Sequence, residues 1–389
     1  GQLTGFGMVQ DRNAVAPDEA KTLPWRRGDP MKILIAAGGT GGHIWPALSF
    51  RDWIQRKGIS AETLFLSGSR ELEEELYASA GVAPVVLPIA GSPLWGPPGT
   101  RISRSIGLAR SLKVVLQVIR DFSPDICLLF GGYVSVAAMA ASRLRGLPLL
   151  LHEQNARAGR VTSLAARIGI PVCSGWEICE PLPAGRYLPV GIPVRRLRRL
   201  APREAWERLG YGLDLPPGPR ILVLGGSMGS DPMAGLFREL SGEEPFRDYN
   251  FFVVGSSVDP VRVADNLLFL PRVWEIDLLY SIADVVISRA GASTLAELVA
   301  FGLPSVIIPW RAAADDHQAS NARVFAQKGF GTVWEYGGDT HEKLSFMIDY
   351  ELKKARLGQA SPFPGMQTSE ASEKIWVLLQ QIAEGRGRN

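Results

Sequence analysis

Met31-Lys32-Ile33-Leu34-Ile35-Ala36-Ala37-Gly38-Gly39-Thr40-Gly41-Gly42-His43 joins a short, continuous apolar run to a cluster of glycines, and Pro46 to Lys57 then follow at helical spacing. The order is strand, tight loop, helix. A strand that is apolar at successive positions is covered on both faces, the usual condition of a parallel sheet. The same order recurs in Asp125 to Phe130 before Gly131-Gly132, in Arg220 to Leu224 before Gly225-Gly226, and in Asp284 to Ser288 before Gly291 and the helical Ser293 to Phe301. An α/β class follows. Gly38 and Gly225 each open such a series, so the chain is expected to form two doubly wound, Rossmann-like domains facing across a cleft.

With 389 residues, 46% hydrophobic and 21% charged, the chain can bury more than one core. A net charge of +3 is too balanced for a dedicated nucleic-acid binder but leaves room for a local basic patch. Cys127, Cys173 and Cys179 have no metal-ligand spacing and are too few for a disulfide framework, which fits a reducing cytoplasm. No apolar run is long enough to span a bilayer. Residues 1–30 have neither an apolar h-region nor periodicity, and are read as a disordered N-terminal extension. Pro189, Gly191 and Pro193, followed by the basic stretch Arg195 to Arg203, mark a linker with a hinge near residues 190–200. The expected domains are 31–194 and 195–365. In the final segment, 366–389, Ile375, Leu378, Leu379 and Ile382 are spaced to pack as a helix back on the first domain.

Glycines at the mouth of a strand let backbone N–H groups approach a phosphate or an oxyanion, and the next helix adds a positive partial charge. The same glycines also suit a tight turn with no ligand. A dinucleotide fingerprint fits poorly, because Ile44 stands where a small residue is needed and the strand Thr63 to Leu66 ends in Ser67-Gly68 without an acid for a ribose. His43, at the loop exit, is a candidate base for an attacking hydroxyl. A lone histidine at a helix start is more often structural, yet His43, His152 and His317 all fall beside loop motifs. Ser227 in the second glycine loop can donate to a diphosphate. Thr294 opens a helix whose free N–H groups suit phosphate oxygens, and Glu297 can accept a ribose hydroxyl pair or be an ordinary first-turn acid. Asp315-Asp316-His317-Gln318, followed by Asn321, adds polar groups after the apolar strand Ser305 to Pro309. There is no Asp-x-Asp triplet suited to a metal diphosphate, so neither metal nor other cofactor is expected and helix N-termini would neutralise a leaving group. Between residues 92 and 120, Leu94, Trp95, Ile102 and Ile106 interleave with Arg101, Arg104, Arg110 and Lys113. This is either a core-packing amphipathic helix or a peripheral contact with an anionic membrane.

Taken together, Gly38 to His43 with Pro46, Gly131-Gly132-Tyr133-Val134-Ser135, His152-Glu153-Gln154-Asn155, Gly191 to Arg195, Gly225-Gly226-Ser227, Ser288 to Glu297, and Ala313 to Gln318 with Asn321 resemble the bacterial peptidoglycan N-acetylglucosaminyltransferases of glycosyltransferase family 28. The resemblance implies the GT-B fold and an inverting transfer of N-acetylglucosamine from UDP-N-acetylglucosamine to undecaprenyl-pyrophosphoryl-MurNAc-pentapeptide, with His43 as base. It puts Thr40, Gly41, Gly42, Tyr133, Glu153 and Asn155 on the acceptor side. Thr40, Gly42, Asn155, Arg195, Ser227, Val273, Arg289, Ala292, Thr294, Glu297, His317 and Gln318 are expected at the donor. It further implies an anionic membrane surface at the cytoplasmic face of the inner membrane as a peripheral partner, met by the 92–113 stretch, and contacts with cell-wall synthesis and division proteins. The chain departs from the family at Met228, where Gln is usual, at Ile192, where Asn is usual, and in a trimmed region between Phe251 and Arg272.

Overall fold

A computed structural model of the chain describes residues 28–91, 98–225, 231–310, 316–357 and 368–385, and of the extension expected over residues 1–30 all but 28–30 lies outside them. The first sheet runs β3 (Val85–Val86), β2 (Ala61–Ser67), β1 (Met31–Ala36), β4 (Ile126–Leu129), β5 (Leu149–Glu153), β6 (Val172–Ser174), β7 (Leu188–Pro189), every pairing parallel. The continuous apolar run of β1 has its reason in two separate cores. Ile33 and Ile35 pack with α1 (Gly41–Arg56) and α2 (Glu71–Ser79), whereas Leu34 and Ala36 pack with α3 (Pro98–Phe122), α4 (Gly132–Leu144) and α5 (Arg160–Arg167).

The second sheet runs β10 (Val261–Ala264), β11 (Leu267–Leu270), β9 (Asn250–Val254), β8 (Arg220–Leu224), β12 (Val285–Ser288), β13 (Ser305–Ile307), β14 (Thr332–Val333). It is parallel except for the edge hairpin of β10 and β11, which occupies the trimmed region. On one face lie α6 (Pro202–Leu209), α8 (Ile276–Ile282), α9 (Ala292–Phe301) and α10 (His317–Gln327); on the other lie α7 (Asp231–Leu240) and α11 (His341–Arg356). In each sheet the strand order reverses beside the first strand, between β1 and β4 and between β8 and β12. Loops leaving the carboxyl ends there diverge to opposite faces and open a crevice, the usual ligand position of doubly wound sheets.

The chain crosses between domains just after β7: Val190 packs in the first core and Ile192 and Val194 in the second. Gly191 between them has φ +91°, and a Cβ there would meet the Cβ of Ala371 at 3.2 Å, so the crossing is tight. Ala371 belongs to α12 (Thr368–Gly385), which returns to the first domain beside α1, β4 and β5. Its stripe of Ile375, Leu379 and Ala383 is buried there, with Leu378 and Ile382 at the margin. Leu379→Ala would leave a cavity under the first sheet and is expected to lower that domain's stability by about 2–5 kcal/mol, measured by urea unfolding with a probe in that domain.

Candidate active site

The carboxyl edges of the two sheets face each other across a cleft of about 940 Å³. On the first-domain side, Thr40 caps α1 and Gly41, Gly42 and His43 form its first turn, all lining the cleft. Behind them the buried Glu73 of α2 accepts the backbone N–H of Gly39 at 2.6 Å, that of Gly68, and the hydroxyl of Tyr133. The anion cradle expected of this loop is therefore partly filled by the protein's own carboxylate. His43 lies against Gly131 and Gly132: a Cβ at either would come within 3.3 Å of the imidazole, and both glycines have positive φ. Its Nδ1 is 2.7 Å from Oε1 of Gln154, at the end of β5.

The residues after β5 are tied inward. Glu153 accepts from the backbone N–H groups of Asn155 and Gly159, from Asn155 Nδ2 and from Thr162 Oγ1. Asn155 Oδ1 accepts from Asn321 Nδ2 of α10, whose amide also donates to the Ala290 carbonyl and accepts from the Ala156 N–H. The completely buried Asn321 thus fastens the two domains.

On the second-domain side, Gly225 ends β8, while Ser227 and Met228 lie outside the described residues. At the start of α9, Leu295 N–H bonds the Gly291 carbonyl, and the N–H groups of Ala292, Ser293 and Thr294 open the helix at the cleft with no carbonyl in a preceding turn. This helix start holds no carboxylate in its first turn, unlike the Gly39 loop. Glu297, one turn in, is buried, with Oε1 2.7 Å from Arg195 Nε and Oε2 accepting from Tyr280 at 2.9 Å. Burial, then the neighbouring Glu297, pushes the Tyr280 phenol well above its usual pKa, so it stays a donor. Both carboxylate oxygens are held, yet each keeps a second lone pair for a hydroxyl. Arg195 also donates to the Trp274 carbonyl and stacks 3.9 Å from the Trp45 ring centroid. Val273 lines the cleft beside Trp274. Arg289 donates to the Ile308 carbonyl and Gln318 Oε1 accepts the Trp310 N–H. His317 bonds the Arg157 carbonyl across the domain boundary.

One contact across the cleft has its cause in a proline. Pro46, inside α1, has no N–H for the carbonyl of Gly42 four residues before it. Ser293 Oγ of α9 donates to that oxygen at 3.0 Å and so bolts the His43 turn to the helix start opposite.

Two family models match: the glycosyltransferase family 28 N-terminal domain over residues 33–169 and its C-terminal domain over residues 220–374. The UDP-N-acetylglucosamine--N-acetylmuramyl-(pentapeptide) pyrophosphoryl-undecaprenol N-acetylglucosamine transferase of Ectopseudomonas mendocina is 35% identical, with 91% of this chain and 99% of that protein aligned. The enzyme of the same name from Moorella thermoacetica is 32% identical over 85% of this chain and 89% of its own. The chain belongs to glycosyltransferase family 28. The crystal structure of Acinetobacter baumannii MurG superposes with a TM-score of 0.62 at 23% identity, over 90% of this chain and 100% of that one. The spinosyn rhamnosyltransferase SpnG superposes with a TM-score of 0.60 at 17% identity, over 90% and 100%. These two likenesses show the GT-B fold.

In this family 28 glycosyltransferase two of the expected acceptor-side residues are held by internal hydrogen bonds. Tyr133 and Glu153 both line the cleft on the side expected for the acceptor, and their polar groups bond Glu73 and the loop after β5. The sequence reading also missed Glu73, which looks like one acid among several on an exposed helix, and the bonding of Gln154, Asn321 and Ser293, whose partners are remote in sequence. Ile192, where the family usually has Asn, is buried beside Trp176 and Val194 in the second-domain core. Leu94 and Trp95 lie outside the described residues, as do the side chains of Arg101, Ile102 and Arg104 in the first turns of α3. Ile106 is 49% exposed. Around α4 and α5, Leu144, Leu164 and Ile168 are exposed, as are Arg143, Arg145 and Arg167.

Tyr133→Phe removes the donor to a buried carboxylate and is expected to cost about 1–3 kcal/mol of stability while leaving the KM for either substrate within twofold. Thermal unfolding and steady-state kinetics check both. His152 is fully buried, and burial pushes its imidazole pKa down to about 4, so the folded protein holds it neutral. Between about pH 6.5 and pH 4 the unfolded chain takes up a proton that the folded one does not. Stability present above pH 6.5 is then lost as pH falls, by up to about 3 kcal/mol from this residue. Unfolding free energy against pH is expected to fall less steeply over that window in His152→Gln.

Proposed function

We propose that the enzyme transfers N-acetylglucosamine from UDP-N-acetylglucosamine to undecaprenyl-pyrophosphoryl-MurNAc-pentapeptide, with inversion at the anomeric carbon. The relatives' names supply the substrate pair. The observation that carries the chemistry is the placing of His43 against the carboxylate-free start of α9, joined to it by the Gly42–Ser293 bond. The acceptor hydroxyl gives its proton to His43 as its oxygen bonds to the anomeric carbon. The bond to the diphosphate breaks from the opposite face, and UDP leaves with the electron pair. N–H groups of Ala292 to Thr294 stabilise the departing charge and Glu297 takes the ribose hydroxyls, so the scheme needs no metal. Closing the cleft aligns the two sugars and excludes the water that would hydrolyse the donor.

The reading also assigns the exposed apolar and basic residues of α3, α4 and α5 to an anionic membrane surface, which supplies the lipid-linked acceptor to the first domain. That places the protein at the cytoplasmic face of the membrane as a peripheral enzyme. Among the described residues no helix is long and apolar enough to cross a membrane.

The test is transfer of labelled N-acetylglucosamine to the lipid-linked acceptor. The intact protein is expected to transfer. His43→Ala should lower kcat by about 10²–10⁴-fold with little change in donor KM, and Glu297→Ala should chiefly raise donor KM. UDP binding without transfer would leave the fold and remove the reaction; a changed UDP-sugar without acceptor would point to an epimerase.

A further inference from the structure

Although a carboxylate is the usual partner of a catalytic histidine, among the described residues no carboxylate bonds His43. Its Nδ1 meets an amide oxygen, and the hydrogen bonds around that amide leave it one orientation. Gln154 Nε2 is 2.8 Å from the His152 carbonyl, which can only accept, so that atom is the amide nitrogen. The same nitrogen is 3.0 Å from His152 Nδ1, which must then carry a lone pair. The His152 proton is accordingly on Nε2, where it donates to the Gly191 carbonyl at 2.8 Å, again a group that can only accept. Each bond requires the next. Burial keeps His152 neutral, so neither of its nitrogens changes role near neutral pH. The amide oxygen of Gln154 is left facing His43 Nδ1 at 2.7 Å, and only a protonated Nδ1 can bond to it.

We propose that Gln154 is the positioning residue of the base: fixed by His152 and the Gly191 carbonyl, it holds His43 with the proton on Nδ1 and the lone pair of Nε2 on the cleft side. This deepens the reading of His43 as base and rests on it. Gly131, the N-cap of α4, and Gly132, its first residue, leave no room for a Cβ beside the ring, so the imidazole is closely flanked as well as hydrogen-bonded. Among the described residues no protein group bonds His43 Nε2, which is the atom an acceptor hydroxyl needs. A neutral orienter fixes the tautomer without placing a negative charge beside the ring. Gly191 is the crossing point between domains, so the chain of bonds that orients the base ends on the interdomain linker.

The experiment reads the ring nitrogens of His43 directly, in the ¹⁵N-labelled full chain without substrate, assigning the signal by its loss in His43→Gln. Nδ1 is expected to be protonated and Nε2 bare near neutral pH. Gln154→Leu should release the tautomer, giving a mixed population, and lower kcat roughly tenfold or more with donor KM within twofold. Gln154→Glu should keep Nδ1 protonated. Its carboxylate favours the imidazolium, so the acid limb of kcat/KM should move to higher pH. A bare Nδ1 in the intact protein, or an unchanged tautomer in Gln154→Leu, overturns the proposal. The intact-protein spectrum decides even where a variant fails to fold. If His43→Ala still transfers, the base reading fails; that result is distinct, because the tautomer is read without turnover.

Discussion

Where a parallel strand ends, its last N–H and C=O groups lose the ladder that satisfied them, and this site is built on how those groups are answered. Glu73 answers Gly39 and Gly68, Glu153 answers Asn155 and Gly159, and Asn321 answers Ala156 and Ala290. Each is a buried polar side chain taking two or more backbone groups, an arrangement that is costly to leave incomplete and that fixes loops firmly when complete. The starts of α1 and α9 both leave first-turn N–H groups at the cleft, and they differ in that Glu73 bonds the loop that leads into α1.

The same accounting joins the two domains. Pro46 frees one carbonyl, which Ser293 takes; Asn321 is shared between Asn155, Ala156 and Ala290; Arg195 lies between Trp45 of the first domain and Glu297 of the second. These are polar or cation–aromatic contacts of modest individual strength, compatible with domains that part and meet. The ion pairs at the rim, Arg272 with Glu75 and Arg323 with Glu180, are largely solvated and contribute little.

The fold was legible because its signal is local. A run such as Ile33-Leu34-Ile35-Ala36 ending in glycines states its own strand, its burial on both faces and its turn, and two such series state two domains. Much of the site's membership was legible for the same reason: His43, Thr294 and Glu297 sit at fixed offsets from glycine loops, and the cleft gathers them. What individual side chains do there was not legible. Glu73 lies in Glu71-Leu72-Glu73-Glu74-Glu75, which reads as a solvated helix face, and only the approach of Gly39, Gly68 and Tyr133 makes it a buried anchor. Gln154 was visible as part of a motif, but its role depends on a histidine 111 residues away. Nor were the internal partners of Tyr133 and Glu153 legible, because Glu73 and Thr162 meet them only through the fold.

The return of α12 makes the first domain discontinuous, with the whole second domain inserted between its last strand and its final helix. During synthesis the face of β4 and β5 that receives α12 stays uncovered while about 180 further residues are made, and domains otherwise tend to complete in order from the N-terminus. Of these two domains, the one begun first is therefore the later to be completed. Its half-covered sheet is the species most exposed to wrong partners, and the ribosome's release of residues 368–385 is the event that closes it.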